Sequence, residues 1–292
     1  MLTSAALLAV AVGLVSAQSI PSSASAADLA LVSAQFANSG FNLTSNAGFG
    51  LTLDAKAILS VVYGSVGVIQ NGNSYTNDQV SEAPDVYVTP SSETAAWFNS
   101  TSRYTLTLAD ASALDNPDAE GNYRHFLANG LTGSAPSSGN LTFEPQDGTV
   151  VTSYAGPGPL AGSGIHRYAW LLFEQPENFQ APSNLSTAGT APSHWSVDSY
   201  VQETGIELVA ASFFTVAASD ATGSVATQPV NTATLSVSST GSSSPQSTGG
   251  SKTSDASGAA ASPTSGGSGA ASLAVSLSAG LVGVAGLAVA AL

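Results

Sequence analysis

A long serine- and threonine-rich segment near the C-terminus limits how much of this chain can fold. Between residues 218 and 272, 24 of 55 residues are Ser or Thr, none is aromatic and three are charged. Such a segment cannot bury enough apolar surface to offset the entropy lost on ordering. We therefore interpret residues 218–262 as a disordered stalk of a composition typical of O-glycosylation, and predict one folded domain over residues 18–217.

The sequences at both ends of the chain are typical of processing signals. Residues 1–17 form an apolar run that closes on Val15-Ser16-Ala17, which has the small residues of a signal-peptidase site. The uncharged residues 273–292 follow small residues and a polar spacer, the layout of a glycosylphosphatidylinositol (GPI) attachment signal. A C-terminal membrane helix is the alternative, since 20 apolar residues can span a bilayer.

These segments predict a signal peptide over residues 1–17 and a GPI signal, removed on maturation, over residues 263–292. The protein is expected to be secreted and to be held by the lipid anchor on the extracellular face of the plasma membrane or in the cell wall. Four N-x-Ser/Thr sequons agree with passage through the secretory pathway. The predicted glycosylation acceptors are Asn42, Asn99, Asn140 and Asn184.

Charge and cysteine content exclude several classes of function. The chain has 5 basic and 19 acidic residues and a net charge of −14, which excludes nucleic-acid binding by phosphate neutralisation. It has no cysteine, which excludes a disulfide framework, zinc–thiolate and iron–sulfur sites and thiol nucleophiles. No cofactor is predicted.

Short β-branched and alternating runs, separated by Gly and Pro, fill residues 18–217 and are typical of a mainly β sandwich. Helical signals are few: a capping-box sequence at Thr76-Asn77-Asp78-Gln79, and an amphipathic run from Ser196 to Thr204 that ends before Gly205. We therefore expect one or two short helices. The predicted strands cover residues 59–64, 66–70, 85–89, 104–108, 124–131, 149–154, 166–173 and 206–216.

Two of the three histidines lie beside arginines, in Arg124-His125 and His166-Arg167. Neighbours in a strand point to opposite faces, so each pair sends its histidine one way and its arginine the other. Each histidine is either an ordinary structural residue or a ligand contact. The third, His194, precedes the predicted helix and is interpreted as an exposed loop residue.

Residues 154–176 carry the pattern Y-x-G-x-G-P-x-x-G-x-G-x-H-R-Y, followed by an apolar strand that ends at Glu174-Gln175. This segment closely resembles the signature of the phosphatidylethanolamine-binding protein family. Physically, the Gly/Pro loop presents backbone N–H groups, and the strand then delivers an imidazole and a phenol to the same place. That combination forms a cradle for an anionic oxygen group.

The family's other half-site is an Asp-Pro-Asp-x-Pro loop that leads to a strand with a histidine. Here Asp110 matches the first aspartate and His125 the histidine, while Ser112 stands where the second aspartate belongs. Ala111 and Leu114 replace the prolines. The strand sequence Arg-His-Phe is similar to that of secreted fungal members, and the resemblance covers residues 59–216.

The resemblance implies a two-sheet antiparallel β-sandwich with a small pocket for phosphate-like or acetate-like anions and phospholipid head groups. It further implies that Asp110 orients a histidine and that donors to the anion come from His125, His166, Tyr168 and the Gly158 backbone. Possible further contacts are Ser112, Tyr154 and Trp170, with Trp170 either in the core or in the pocket wall. Arg167, on the other face, is expected in a structural ion pair.

These expectations favour a non-catalytic protein. There is no G-x-S-x-G nucleophile elbow, and the resemblance makes Asp110, His125 and His166 an anion site rather than a metal site. The first hypothesis is a cell-surface binding protein for phospholipid head groups or other phosphate-type anions. The alternative is a serine carboxypeptidase inhibitor, or a wall-associated interaction protein with a vestigial pocket.

Overall fold

The computed structural model describes residues 19–99, 101–134, 140–142 and 148–219, and within these ranges the chain forms eleven strands and two α-helices. The strands are β1 (Ala57–Tyr63), β2 (Gly67–Val68), β3 (Ser74–Tyr75), β4 (Asp85–Pro90), β5 (Tyr104–Asp110), β6 (Asn122–Leu131), β7 (Leu141–Thr142), β8 (Thr149–Thr152), β9 (Ile165–Glu174), β10 (Ser193–Trp195) and β11 (Glu207–Ala217). The helices are α1 (Ala26–Asn38) and α2 (Val197–Thr204).

The strands form two sheets. One has four strands in the order β2-β1-β4-β7, and the other has seven, in the order β10-β6-β5-β9-β11-β3 with β8 beside β6. Pairing between these strands is antiparallel except between β3 and β11, which run parallel. The predicted mainly β fold with two sheets and one or two short helices is thus confirmed.

The seven-stranded sheet is covered on both faces. One core cluster, including Leu59 and Leu172, fills the space between the sheets, and a second, including Phe36 and Phe213, lies beneath the helices on the outer face. This explains why β5 is buried at every position although its sequence alternates. The alternate residues Thr105 and Thr107 bury their hydroxyl groups against hydrogen-bond acceptors instead of exposing them.

Helix α1 lies where the sequence analysis placed no helix. A capping box begins it, because Ser25 Oγ accepts from the Asp28 N–H at 3.2 Å and Asp28 Oδ2 accepts from the Ser25 N–H at 2.9 Å. Its face of Leu29, Val32 and Phe36 is buried. Just before it, the Pro21 carbonyl accepts from the Thr89 hydroxyl at 3.1 Å. The segment from residue 21 to residue 38 is therefore tied into the fold.

Helix α2 agrees with its prediction. Ser196 accepts from the Ser199 N–H at 3.1 Å as N-cap, and Gly205 ends the helix at φ +68°. The Thr76–Gln79 capping box forms as well, since the Thr76 N–H donates to Gln79 Oε1 at 2.9 Å. It overlaps one 3₁₀ turn, Asp78–Val80.

The predicted signal peptide, the GPI signal and residues 220–262 of the predicted stalk lie outside the described residues and stay predictions. The predicted start of the stalk at residue 218 is wrong, because Ala218 is buried and its N–H donates to the Gly164 carbonyl at 2.9 Å. Neither helix in the described ranges is long and apolar enough to cross a membrane.

Candidate functional site

The candidate site lies where β5 ends between its two neighbours. Asp110, the last residue of β5, pairs with Tyr123 of β6 on one side and Tyr168 of β9 on the other. His125 and His166 are two positions from these tyrosines, so in each strand the tyrosine and the histidine share a face. The side chains converge on a cavity of about 440 Å³ that is also lined by Ser112, Gly158 and Leu160.

The Asp110 carboxylate anchors this cluster. It is 5% exposed, its Oδ1 accepts from the Ser112 N–H at 2.6 Å, and its Oδ2 accepts from His166 Nδ1 at 2.7 Å. The same Oδ2 lies 4.0 Å from His125 Nε2. The geometry thus lets Asp110 orient a histidine, and that histidine is His166.

His125 is positioned by a β-bulge. Leu108 of β5 pairs with Phe126 and the next residue, Ala109, pairs with Arg124, so His125 has no partner in the ladder. Bulges re-aim a side chain in this way. The residue is also held at Ala155, whose carbonyl accepts from His125 Nδ1 at 2.9 Å and whose N–H donates to the His125 carbonyl at 2.9 Å.

The hydrogen bonds of the two histidines fix their tautomers. A carboxylate and a carbonyl can only accept, so Nδ1 carries the proton in both rings. In the neutral state each Nε2 therefore holds a lone pair rather than an N–H. Within the part of the chain that the structure describes, the Nε2 of His166 is buried without a hydrogen-bond partner. Burial lowers the pKa of His125 and so favours its neutral form. Neither Nε2 can donate to an anion until its ring takes up a proton.

The Tyr168 hydroxyl interacts with the Asp110 carboxylate and with the Gly158 N–H. Burial raises the pKa of Tyr168 well above its usual value, so the phenol keeps its proton. Two other glycines shape this loop. A Cβ on Gly156 would lie 3.0 Å from the Ser81 backbone, and one on Gly164, at φ +92°, would lie 3.0 Å from Ala113 Cβ. The loop therefore needs glycine at both positions.

Arg167 lies on the opposite face of β9, as predicted, but the expected ion pair is wrong. Its buried guanidinium donates to four backbone carbonyl groups: those of Ser39 at 2.8 Å, Ala111 at 2.9 Å, Ser112 at 3.2 Å and Ala47. It thereby joins the loop after α1 to the turn after β5. Ser112 in that turn has φ +61°, a conformation uncommon for a residue with a side chain.

Tyr154 and Trp170 do not line the cavity, which corrects their assignment as possible ligand contacts. Their rings stack at 6.0 Å beside a separate cavity of about 90 Å³ near β4. The Tyr154 hydroxyl donates to the Val80 carbonyl at 2.6 Å, and Trp170 Nε1 donates to the Tyr63 hydroxyl at 3.2 Å. Both residues are structural, and Trp170 belongs to the core between the sheets.

The cavity wall also contains side chains that were not predicted from the sequence, among them Tyr123, Asp118 and His194. His194 is not an exposed loop residue, because it lies in β10 and its ring contacts Asp118 at 2.9 Å and Glu120 at 3.0 Å. The strand period of two around His125 could have identified Tyr123. Nothing local in the sequence joins residue 194 to residue 118.

Of the four predicted glycosylation acceptors, Asn42, Asn99 and Asn184 are exposed. Asn140 is 7% exposed and its Oδ1 accepts from the Thr89 hydroxyl at 3.3 Å. The fold therefore speaks against Asn140 as a glycan acceptor. Within the described ranges, no group of three or more His, Asp or Glu side chains is arranged to hold a metal ion.

The class of protein is thus a β-sandwich in which a Gly/Pro loop meets a buried His–Asp–Tyr cluster at the wall of a cavity. The family model described as phosphatidylethanolamine-binding protein matches residues 63–214, which is more than half of the chain. The chain belongs to this family.

Two similar proteins come from Saccharomyces cerevisiae. Carboxypeptidase Y inhibitor is 25% identical over 184 residues, which covers 54% of this chain and 83% of the inhibitor. An uncharacterised protein is 24% identical over 172 residues, which covers 57% of this chain and 84% of that protein. The crystal structure of carboxypeptidase Y inhibitor complexed with the cognate proteinase has a TM-score of 0.50 and 21% identity, covering 65% of this chain and 98% of that one.

Proposed function

We propose that this protein is a non-catalytic binding protein of the cell surface whose cavity at Asp110 takes phosphate-type anions, including phospholipid head groups. One observation carries the proposal: the buried Nε2 of His166 has no hydrogen-bond partner among the described residues, while Asp110 holds the ring in place from Nδ1. A buried polar atom without a partner is costly, and a bound ligand would supply the partner.

The chemistry of the cluster suits an anionic oxygen group. Once protonated, His125 and His166 each present an Nε2–H, and charge-assisted hydrogen bonds to phosphate oxygens are among the stronger ones in proteins. The cavity also contains Ser112 and the glycine loop. The site requires no permanent cation, because the two histidines gain their positive charge by protonation.

The same geometry supports a non-catalytic role. The hydrogen bond between Asp110 and His166 is also found between the Asp and the His of a hydrolytic triad. In such a triad the other ring nitrogen of the histidine contacts a nucleophile. Among the described residues, no hydroxyl contacts His166 Nε2.

The binding test is a calorimetric titration of inorganic phosphate and of glycerophosphoethanolamine into the purified full chain. His166→Ala should weaken binding by about one to two decades, the loss of one charge-assisted hydrogen bond. Arg103→Ala is the matched control, because it removes an exposed cation that does not line the cavity. Equal losses from both variants would indicate general electrostatic attraction and contradict a formed site. If neither ligand binds the unmutated chain at any pH from 5 to 8, the proposed anion site is also contradicted.

The cell-surface part of the proposal depends on the predicted GPI signal. Phosphatidylinositol-specific phospholipase should release the protein from cells, and its C-terminal peptide should end before residue 273. Recovery of an intact 273–292 peptide from the membrane fraction would contradict this.

A second function, inhibition of a serine carboxypeptidase, is favoured by the similarity to carboxypeptidase Y inhibitor. The test is the rate of peptide hydrolysis by a serine carboxypeptidase with increasing amounts of the chain. Inhibition that survives His166→Ala would establish this function separately from anion binding.

A further inference from the structure

A second cavity, of about 370 Å³, lies beside β6 and β10, and His194 lines both this cavity and the first. Arg124 lines this second cavity, whereas its neighbour His125 lines the first. The wall also contains Leu185, Trp195, Ser196, Ser199 and Glu203. The family resemblance assigned no role to this cavity.

The unusual feature of the second cavity is its arginine. Arg124 is 2% exposed, and its guanidinium donates to the Thr152 hydroxyl at 2.8 Å, the Ala191 carbonyl at 2.9 Å and the Ser193 hydroxyl at 3.2 Å. These acceptors are all neutral. No ion pair joins Arg124 to a carboxylate within the described part of the chain. Buried charges are normally paired, because desolvation of an unpaired one is costly.

Burial lowers the pKa of the Arg124 guanidinium, because desolvation disfavours its charged form. The face of the Trp195 ring lies 5.5 Å from the guanidinium carbon. The charged group is therefore held in place by neutral partners, at the wall of an open cavity.

A second donor of the same wall has no acceptor. Trp195 Nε1 is buried without a hydrogen-bond partner among the described residues. The hydroxyl groups of Ser196 and Ser199 lie at the N-terminus of α2, whose dipole favours negative charge. Arg124, Trp195, Ser196 and Ser199 thus line one cavity, and a guanidinium, an indole N–H and a helix N-terminus all interact favourably with an anionic oxygen.

We propose that the cavity at Arg124 binds a small organic monocarboxylate. A planar guanidinium matches a carboxylate in shape and charge and would gain its missing counter-ion. Glu203 on the rim disfavours a second negative charge on the ligand. Pro182 and Leu185 form an apolar part of the wall that suits a short aliphatic chain.

The test is a titration of sodium butyrate into the ¹⁵N-labelled full chain at constant ionic strength, followed by the indole N–H signals in NMR. The Trp195 signal should shift saturably, while that of Trp170, which is bonded to Tyr63 in the core, should stay. The same shift should persist in His166→Ala, which separates this site from the first cavity. Arg124→Gln should weaken binding at least tenfold.

Because Arg124→Gln removes a buried group, it can also unfold the chain, so a second variant is needed. Glu203→Gln changes an exposed residue and should tighten butyrate binding about two- to fivefold by removing a repulsive charge. The proposal is overturned if butyrate leaves the Trp195 signal unmoved, if it shifts only the rings of His125 and His166, or if Glu203→Gln fails to tighten binding.

Discussion

At the scale of single residues, the site is governed by which ring nitrogens carry protons. Asp110 and the Ala155 carbonyl hold the Nδ1 protons of His166 and His125. The cavity consequently presents two lone pairs when the rings are neutral and two N–H donors when they are charged. Anion binding and proton uptake must therefore be coupled.

The first prediction follows from that coupling. Affinity for a phosphodiester, whose own charge is constant near neutrality, should rise as pH falls. Because burial lowers the pKa of His125 below its ordinary value of about 6.5, the rise should continue below that pH. Calorimetry in buffers of different ionisation enthalpy measures the protons taken up on binding. Binding without proton uptake would contradict the tautomer assignment.

The second prediction concerns the free protein. A histidine with a lowered folded-state pKa contributes stability that is complete above the unfolded value, near pH 6.5, and lost as pH falls, because the unfolded chain takes up the proton first. Urea unfolding should show this loss, and His125→Asn should make it shallower. An unchanged slope in the variant would exclude His125 as its source.

The third prediction compares two arginines. Arg167→Ala removes the guanidinium that donates to four backbone carbonyl groups, of which the Ser112 carbonyl keeps the N–H of residue 167 as a donor, and should cost about 3–5 kcal/mol of unfolding free energy. Arg103→Ala, at an exposed position, should stay within about 0.5 kcal/mol. Urea denaturation measures both. Similar small effects would show that Arg167 does not join the two loops.

At the scale of elements, alternation and turn residues predicted the main strands and α2, since those signals are local. Helix α1 was within reach: Ser25 and Asp28 form a capping box, and Leu29, Val32 and Phe36 have helical spacing. The bulge at His125 could not be predicted from the sequence, because it depends on how β5 pairs with β6. The contact of His194 with Asp118 depends on pairing between β10 and β6, which is likewise long-range.

The fourth prediction tests the glycine loop with a matched pair. Gly164→Ala places a methyl group against Ala113 at a positive φ, and should cost about 1–3 kcal/mol and weaken phosphate binding. Gly158→Ala projects into open space and should leave stability within about 0.5 kcal/mol. Thermal unfolding of both variants measures the difference in their stability. A Gly164→Ala variant as stable as Gly158→Ala would show that the loop adapts.

At the scale of the whole molecule, the net charge of −14 is spread over a surface with few cations, since two of the five basic residues, Arg124 and Arg167, are buried. The protein as a whole repels anions, so any anion must be bound by local hydrogen bonds.

The fifth prediction concerns the boundary of the folded domain. Truncation after Ser219 should leave the midpoint of thermal unfolding essentially unchanged, because β11 ends at Ala217 and the removed residues contain no aromatic side chain. A fall of many degrees would place the boundary further along the chain.

The position of β11 has a consequence for how the protein is made. This strand lies inside the large sheet, between β9 and β3, so neither core cluster can close before Ala217 has been synthesised. Residues 218–292 follow it, and at about 5–20 residues per second their synthesis takes roughly 4–15 s. The sandwich therefore has time to fold while the nascent chain is still attached.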